Sequence, residues 1–551
     1  MNGGSGGTII INGDSKTIPD PNPYSGNTLE DDPFTIEAPQ QTQTVNGRTV
    51  TYNFVYWEDG STENPKNLTP NNHFDIVANY KGHMFSNNSY ATGYNNGRRM
   101  YKASNGTIYL VYEDSGDIWF TSSTDGGKTW NKETQLDSNT KTSLNPSLAG
   151  TLDMLFVVWF DQTDLNIKLR NFNINTAQWY NVHIVASVNF GEAIKPAPAI
   201  AVSEVVGNEY NVYIAFHREK MSENFQPTGI HEIVCYKNID QNFDQWNLIL
   251  GPFEGRNPSL SHSQTGNNGD IGLVWDHNGK IYFKGTNYYG NWTSTYQISD
   301  DLWYHQDNCK ANISYTYGIA HIVWEGYHAI TEMPTGYYRY FDVDDERLSD
   351  LTVLPSHGAD VHHLSVSSQK YADNTTAYNY TIVYEGDGVI KVTQTSDNFQ
   401  EENFGEGQYP NITEHDMSRS VWTTYNDAPF LLKTDYQESS GGGVSPIIIN
   451  PTPVIDYVLS ANQNNSVEGT ITLEVEAVKL NHDTVYFDNA LKSKTMSITQ
   501  DYVPLEMDLK VRFHNVYNGF NDEDVLYLLA VSYTHLRAHE TSLHLVCRLL
   551  L

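Results

Sequence analysis

The stretch that decides the fold runs from Ile108 to Trp130 and reads IYLVYEDSGDIWFTSSTDGGKTW. Ile108–Tyr112 is apolar, with β-branched and aromatic residues, and Asp117–Ser123 is a second strand-like segment. In the turn that follows, the Asp125 carboxylate can cap nearby backbone N–H groups, and Gly127 tolerates a positive φ. The pattern predicts two strands, a tight turn and a tryptophan that folds back beneath it.

The turn itself has the pattern S-x-D-x-G-x-x-W, carried by Ser123, Asp125, Gly127 and Trp130. This pattern resembles the Asp-box of sialidases and other BNR-repeat β-propellers. The resemblance implies an all-β propeller in which these four residues are structural. Because such turns lie away from the active site in sialidases, the motif predicts a fold and no turnover.

A short apolar strand ending in an aromatic residue recurs along the central region. Its occurrences are Leu110–Tyr112, Val157–Trp159, Ile214–Phe216, Leu273–Trp275, Ile322–Trp324, Ile382–Tyr384 and Ser420–Trp422. Further strand-like segments precede and follow it, and propeller blades recur at roughly 40–50 residues. We therefore expect a seven-bladed β-propeller, with the six blades of typical sialidases as the alternative. His83–Tyr94 is expected to complete the short last unit and close the ring.

The remaining regions differ from the propeller in composition. We expect a linker at 1–29, a small β domain at 30–82, the propeller at 83–437, a linker at 438–445, a β-sandwich, complete or truncated, at 446–530, and a non-native tail at 531–551. Phe54, Trp57, Asp59 and Gly60 lie in a pattern that resembles internalin B-type repeats, which are spacers or adhesive units on exported proteins. The tail resembles translated sequencing-adapter read-through, so its residues receive no functional weight.

Composition limits the classes of partner. Lys and Arg number 33 against 66 Asp and Glu, a net charge of -33, which argues against nucleic acid or an anionic membrane surface. The three cysteines have neither a disulfide framework nor a metal-type spacing. No apolar run is long enough to span a membrane. A signal peptide is not recognisable at the start, and we expect an extracellular or cell-surface bacterial protein whose leader is missing from this chain.

Acidic residues follow the repeated aromatic residue in several units. If second strands end where first strands begin, one propeller face collects these acids and a set of bases. The acids are Glu113, Asp276, Glu325 and Glu385, with Asp161 and Glu219 slightly later; the bases are Arg98, Arg99, Lys195, Arg256, His305, Lys310, His362 and His363. Two interpretations remain open: polar residues that satisfy backbone groups in every blade, or a ligand site in the mouth of the channel. The predicted ligand-binding residues are Arg98, Arg99, Arg256, Glu113, Asp276, Glu325 and Glu385.

The sialidase resemblance implies three arginines for a substrate carboxylate, a Tyr–Glu pair and an aspartic acid. Arg98 or Arg99 stands where the first arginine would be, and Asp114 or Asp117 where the acid would be. Further arginines lack recognisable flanking motifs, and the Tyr–Glu pair cannot be identified. The first arginine also lacks the usual R-I-P context.

A propeller-type polysaccharide lyase is a further hypothesis, because such lyases use His or Tyr as a base beside a cation. His217 beside Arg218, with Glu219 following, is the best local group, and His277 is another. The catalytic candidates are thus Asp114, Asp117, Glu219 and His217.

Taken together, these patterns favour a non-catalytic protein that binds extracellular carbohydrate or a cell-surface glycan. A sialidase-like glycoside hydrolase is the first alternative and a lyase the second. No cofactor is expected and no metal motif is recognised, although an acid ring leaves calcium open. The sequence leaves the oligomeric state open.

Overall fold

The computed structural model describes residues 7–18, 25, 32–45, 48–69, 75–94, 96–137, 142–188, 196–205, 209–239, 242–263, 271–286, 291–300, 310–327, 334–354, 360–369, 377–394, 402–415, 420–424 and 428–434, together with the strands of a C-terminal unit. The chain divides into two compact units, Met1–Tyr436 and Gln437–Leu551. Every regular element among the described residues is a β-strand, which confirms the all-β class. In this part of the chain, nothing has the length and apolarity of a membrane-crossing helix.

The N-terminal region forms a small domain of two sheets. Its strands are β1 (Gly7–Ile11), β2 (Asp14–Ile18), β3 (Phe34–Glu37), β4 (Gln41–Val45), β5 (Arg48–Trp57), β6 (Lys66–Leu68) and β7 (Ala78–Gly82). One sheet has the order β2-β1-β3-β6 and the other β4-β5-β7. Because β1 and β2 belong to the first sheet, residues 7–18 of the expected linker are part of this domain. Trp57, Phe54 and Ile36 form its apolar core.

The central region folds into antiparallel sheets of consecutive strands. The strands are β8 (Phe85–Ser86), β9 (Met100–Lys102), β10 (Ile108–Asp114), β11 (Asp117–Ser123), β12 (Thr134–Gln135), β13 (Ser143–Gly150), β14 (Met154–Asp161), β15 (Asn166–Asn173), β16 (Gln178–Ser187), β17 (Ala199–Val205), β18 (Glu209–Met221), β19 (Pro227–Ile239), β20 (Asn242–Glu254), β21 (Arg256–His262), β22 (Ile271–His277), β23 (Lys280–Gly285), β24 (Tyr296–Gln297), β25 (Asn312–Thr316), β26 (Ile319–Tyr327), β27 (Pro334–Asp342), β28 (Arg347–Leu348), β29 (Thr352–Val353), β30 (Val361–Ser368), β31 (Tyr380–Gly386), β32 (Val389–Gln394), β33 (Glu402–Glu406), β34 (Gln408–Ile412), β35 (Ser420–Thr423) and β36 (Phe430–Thr434). Sheets one to seven begin at β9, β13, β17, β21, β25, β30 and β34.

The first strands of successive sheets are neighbours, from β9 through to β34. The last sheet is completed from the other end of the chain, because β8 pairs antiparallel with β36, Ser86 opposite Phe430. This pairing confirms the expected closure and leaves no open edge between the two ends. The repeated aromatic residues, such as Trp159 and Trp324, are buried between neighbouring sheets. The arrangement is that of a β-propeller.

The turn after β11 is built as its residue types require. Asp125 accepts the Ser123 hydroxyl at 2.7 Å and the Thr129 N–H at 2.9 Å. Gly127 has a φ of 100° and donates its N–H to the Ser123 Oγ at 2.8 Å. The Trp130 indole N–H returns to the Gly127 carbonyl at 3.1 Å. These bonds fix the conformation of the turn from within.

The C-terminal unit contains only short sheets among its described strands. These are β37 (Pro453–Ser460), β38 (Val467–Glu474), β39 (Ala477–Lys479), β40 (Thr484–Tyr486), β41 (Ser493–Gln500), β42 (Glu506–Phe513), β43 (Tyr527–Leu528) and β44 (Leu536–Arg537). The sheet orders are β37-β42, β41-β38-β44 and β40-β39-β43. The sandwich stays a prediction, and β44 lies within the expected tail.

Candidate functional site at the channel mouth

The strand registers bring the end of each second strand beside the start of a first strand. Arg256 is opposite Asp276, and His362 is opposite Glu385. We call this end of the channel the mouth. In these two sheets the predicted acids and bases therefore lie at the same end of their strands, whereas Lys195 and His305 of the predicted set lie outside the described residues.

First strands open with a local irregularity at the mouth. The register shifts at the starts of β13, β21, β30 and β34 are bulges. The residue at this position, Asn145 (54°), Asn257 (48°), His363 (55°) or Tyr409 (55°), has a positive φ, and so does Lys310 (38°), which holds the equivalent position before β25, where the pairing shows no register shift. We call these the bulge residues. In Asn145, His363 and Tyr409 the backbone N–H is directed at the preceding sheet.

Acids at the ends of second strands receive those N–H groups. Glu113 accepts from Asn145 at 3.2 Å, Glu325 from His363 at 2.6 Å, and Glu385 from Tyr409 at 3.3 Å. Each bond joins one sheet to the next and satisfies a backbone donor that the bulge removes from the ladder. Three of the predicted ligand-binding acids thus have a structural task in the ring.

The glutamate at the end of the second strand has its pKa shifted in opposite directions in different sheets. Burial raises the pKa of Glu113 to about 7, against the opposing influence of the Asn145 N–H and the Arg99 charge. Burial acts in the same direction on Glu325, but His362, His363 and Lys310 outweigh it and lower its pKa to about 2. Glu325 is therefore a charged carboxylate at neutral pH, while Glu113 titrates there.

Four larger side chains line one part of the mouth, and we call them the half-ring: Tyr94, Lys310, His363 and Tyr409. All four are partly exposed. The Lys310 ammonium lies 5.6 Å from the Tyr94 ring centre, and the His363 and Tyr409 rings are 4.2 Å apart. Burial raises the pKa of Tyr409, and nearby Glu385 and Tyr94 add to the effect. The half-ring thus consists of two contacting pairs that together present three aromatic rings and a cation.

His363 is oriented by a carboxylate. Its Nδ1 lies 3.0 Å from the Glu385 Oε2, the atom that also accepts the Tyr409 N–H. The opposite ring nitrogen, Nε2, therefore points away from Glu385. His362 lies beside it, with Nδ1 3.7 Å from Glu325, which raises the pKa of His362.

The other part of the mouth is closed by small residues. Asn145, Ala197 and Asn257 are all buried. The Asn145 amide donates to the Pro196 carbonyl at 3.0 Å, and the Asn257 amide donates to Asp276 at 3.0 Å. Asp276 is thereby engaged inside the sheet. This side offers no large side chain at its described bulge positions.

Arg98 and Arg99 are buried in the channel rather than displayed at the mouth. The Arg98 guanidinium donates to Ser365 and to two backbone carbonyls, and that of Arg99 donates to the Pro146 and Gly93 carbonyls. Burial lowers the pKa of each to about 10. These donors are already directed at the protein itself, and the predicted role of both arginines as carboxylate ligands stays a prediction. Arg256 is partly exposed at the mouth.

The catalytic candidates are also placed in the interior. Asp114 forms an ion pair with Lys81 at 2.9 Å in which both side chains are buried, and Asp117 is buried nearby. Glu219 accepts the Gly229 N–H at 2.7 Å. His217 is fully buried without a hydrogen-bond partner on either ring nitrogen, and burial lowers its pKa to about 3.

Three important mouth residues were absent from the sequence-based set: Tyr94, Tyr409 and Asn96. Tyr409 precedes Pro410-Asn411-Ile412, which repeats the Pro146-Ser147-Leu148 pattern after Asn145, so the repeat itself contained its signal. Tyr94 and Asn96 lie before the first strand of sheet one, where no repeat pattern marks them. Within the described ranges, His, Cys, Asp and Glu nowhere form a group of three that could hold a metal ion.

Comparisons with known proteins find only distant likeness. No family model and no curated protein matches the chain. Among solved structures, an α-L-arabinofuranosidase from Fusarium graminearum has 12% identity and a TM-score of 0.36, covering 64% of this chain and 96% of its own. The NanB sialidase from Streptococcus pneumoniae has 11% identity and a TM-score of 0.33, covering 73% of this chain and 82% of its own. The polysaccharide lyase Uly1 has 8% identity and a TM-score of 0.37, covering 61% and 88%. Likeness of this extent assigns none of these activities to the present chain.

Proposed function

We propose that this chain is a seven-bladed propeller protein that binds extracellular carbohydrate at the half-ring without turning it over. The observation that carries the proposal is the half-ring itself. Tyr94, His363 and Tyr409 offer ring faces on which a sugar can stack, and Lys310 adds a hydrogen-bond donor. Seven sheets from β9 to β36, closed by β8, support the blade count.

The distribution of hydrogen-bonding atoms favours binding over sialidase chemistry. A sialidase site would need arginines whose guanidinium groups are available to a substrate carboxylate. Arg98 and Arg99 instead donate to backbone carbonyls, and Arg339 pairs with Asp300 at 2.7 Å. We therefore expect no release of fluorophore from a fluorogenic sialoside by the full chain.

A glycan array that includes neutral and acidic oligosaccharides tests the binding proposal. We expect the full chain to retain at least one glycan, and Tyr409→Ala to lose it. Tyr317→Ala is the matched control, because Tyr317 is an exposed tyrosine at the opposite end of β25 from the mouth. Equal retention by both variants would place the binding surface elsewhere.

Calcium is a further arm of the same assay. Glu113, Glu325 and Glu385 already accept backbone N–H groups, so we propose that carbohydrate binding is independent of calcium. Treatment with EDTA is expected to leave retention on the array unchanged. A loss that added calcium restores would contradict this and make the acid ring a cation site.

Lyase chemistry is the second candidate function, favoured by one specific contact. Glu385 holds the His363 Nδ1 at 3.0 Å, which leaves Nε2 as a possible proton acceptor beside the Tyr409 ring. A cation such as Lys310 could neutralise a uronate carboxylate. Ultraviolet absorbance of unsaturated product from a panel of polyuronates tests it, with His363→Gln as the inactive control. No absorbance change across the panel would leave the binding proposal alone.

A further inference from the structure

The Arg98 guanidinium bridges three strands in the channel. It donates to the Ile313 carbonyl at 2.5 Å, the Ser365 hydroxyl at 3.0 Å and the Ile412 carbonyl at 3.3 Å. These acceptors lie on β25, β30 and β34, the first strands of sheets five, six and seven. A planar guanidinium with several fixed N–H directions can satisfy three acceptors at once and hold their separation.

The same three strands carry most of the half-ring. Lys310 lies three residues before Ile313, and Tyr409 lies three residues before Ile412. His363 lies two residues before Ser365. The separation of these three side chains at the mouth therefore depends on the separation of the three strands at the Arg98 guanidinium, which lies only two or three residues further along each strand.

We infer that Arg98 is a positioning residue for the half-ring, which sets the spacing of Lys310, His363 and Tyr409 from within the channel. Its functional consequence rests on the proposed function of the mouth, although the spacing itself does not. Burial lowers the pKa of Arg98 to about 10, with the Glu414 charge acting against the shift. The guanidinium therefore stays charged and fully protonated at neutral pH, as a bridge of this kind requires.

Asn96 supplies the matched comparison from the same segment. Its amide donates to the Ala197 carbonyl at 2.8 Å and the Pro258 carbonyl at 3.0 Å. Those acceptors belong to the closed side of the mouth. Removing the Asn96 amide costs channel hydrogen bonds of the same kind without loosening the strands of the half-ring.

The test uses histidine titration, which needs no carbohydrate. In the full chain with 13C-labelled histidine, NMR follows the pKa of His362, assigned by comparison with His362→Gln. That pKa is raised mainly by Glu325 of the preceding sheet, 3.7 Å from the His362 Nδ1, with Glu385 and Asp360 adding to it from the sheet of His362 itself. Arg98→Ala is expected to lower it toward the ordinary value of about 6.5, and millimolar guanidinium is expected to restore it. Asn96→Ala is expected to leave it unchanged.

A second variant guards against loss of folding. Circular dichroism establishes whether each variant is folded. If Arg98→Ala is not, Arg98→Lys decides, because lysine keeps the charge but cannot present the planar fork to three acceptors. A folded Arg98→Ala or Arg98→Lys in which His362 titrates as in the natural chain would overturn the inference.

The outcome is separable from that of the binding proposal. A glycan array that retains nothing would remove carbohydrate binding and leave the histidine result intact. Conversely, a glycan retained equally by the natural chain and by Arg98→Ala, with unchanged titration, would remove the positioning role and leave binding standing. If both proposals hold, affinity for the retained glycan falls about tenfold in Arg98→Lys, equal to about 1.4 kcal/mol.

Discussion

The two sides of the channel mouth share a left-handed residue at the start of the first strands but differ in the size and exposure of its side chain. On the closed side, the bulge residues Asn145 and Asn257 are buried, and their side-chain amides donate hydrogen bonds to protein acceptors. On the half-ring side, Lys310, His363 and Tyr409 have the same left-handed conformation and are partly exposed.

The propeller fold thus repeats the same backbone position in several sheets, and the residue type at that position decides whether it is buried or exposed. A positive φ is easily adopted by asparagine but is costly for lysine, histidine and tyrosine, by roughly 1–2 kcal/mol per residue. Three such residues in consecutive sheets are a local conflict between backbone and side chain. Left-handed residues such as Leu165 and Phe225 also occur outside the mouth, so the exposure of these three side chains, rather than their backbone conformation, distinguishes this side.

The largest expected effect concerns the pH dependence of stability at Glu113. Its folded pKa of about 7 lies above its usual value, so the folded state binds the extra proton between about pH 4.5 and 7. Its contribution to stability is therefore fully present below pH 4.5 and falls by about 3 kcal/mol as the pH rises to 7. Glu113→Gln should flatten that fall in urea unfolding measured across this window.

Glu406→Gln is the control for this measurement, because Glu406 is an exposed carboxylate in β33. It should leave the slope of stability against pH unchanged. A Glu113→Gln variant with the natural slope would show that Glu113 does not titrate in this window.

Converting the half-ring to the closed type is expected to have the next largest effect. The double variant His363→Asn/Tyr409→Asn keeps residues that tolerate the left-handed conformation and removes two ring faces. Affinity for a glycan retained on the array should fall at least about thirtyfold, equal to about 2 kcal/mol. Isothermal titration calorimetry measures the change, and full retention of affinity would contradict a site at the half-ring.

Glu325 should show the opposite pH trend to Glu113. Its folded pKa of about 2 lies below the usual value, so its stabilising contribution is present above about pH 4.5 and is lost as the pH falls toward 2. Glu325→Gln should reduce the loss of stability in acid, followed by circular dichroism at equilibrium. An unchanged acid transition would mean that His362 and His363 do not hold this carboxylate in its charged form.

The smallest effect is expected at Lys310. Lys310→Asn relieves a left-handed lysine and should raise the free energy of unfolding by up to about 1 kcal/mol. Lys391→Asn, within strand β32, is the control and should give no increase. Thermal unfolding measures both, and a destabilised Lys310→Asn would show that the contacts of the lysine outweigh its backbone strain.

Much of the mouth could be predicted because it belongs to the repeat. Glu325 and Glu385 follow the repeated aromatic residue, and His363 lies at the start of a first strand, so their positions in the repeat indicated one face. The closure of the ring by the segment containing β8 was predictable for the same reason, since the last unit lacked a strand. Tyr409 could have been added by aligning the first strands.

The burial of Arg98 and Arg99 could not be predicted from the sequence. Two adjacent arginines before a strand suggested a surface ready for a carboxylate, and their burial could not be foreseen. Their surroundings come from residues up to 314 positions away, such as the Ile412 carbonyl that accepts from Arg98. Nothing in the local pattern encodes such neighbours.

The amino-acid sequence by itself determined the strands, the turns, the all-β class and the face on which the acids gather, because alternation, turn chemistry and repeat spacing are local properties. Only the tertiary structure decided which acids are neutral or charged, which arginines bind backbone, and which side of the mouth is open. Those outcomes depend on burial and on contacts between sheets that are distant in the chain, and both arise only when the ring closes.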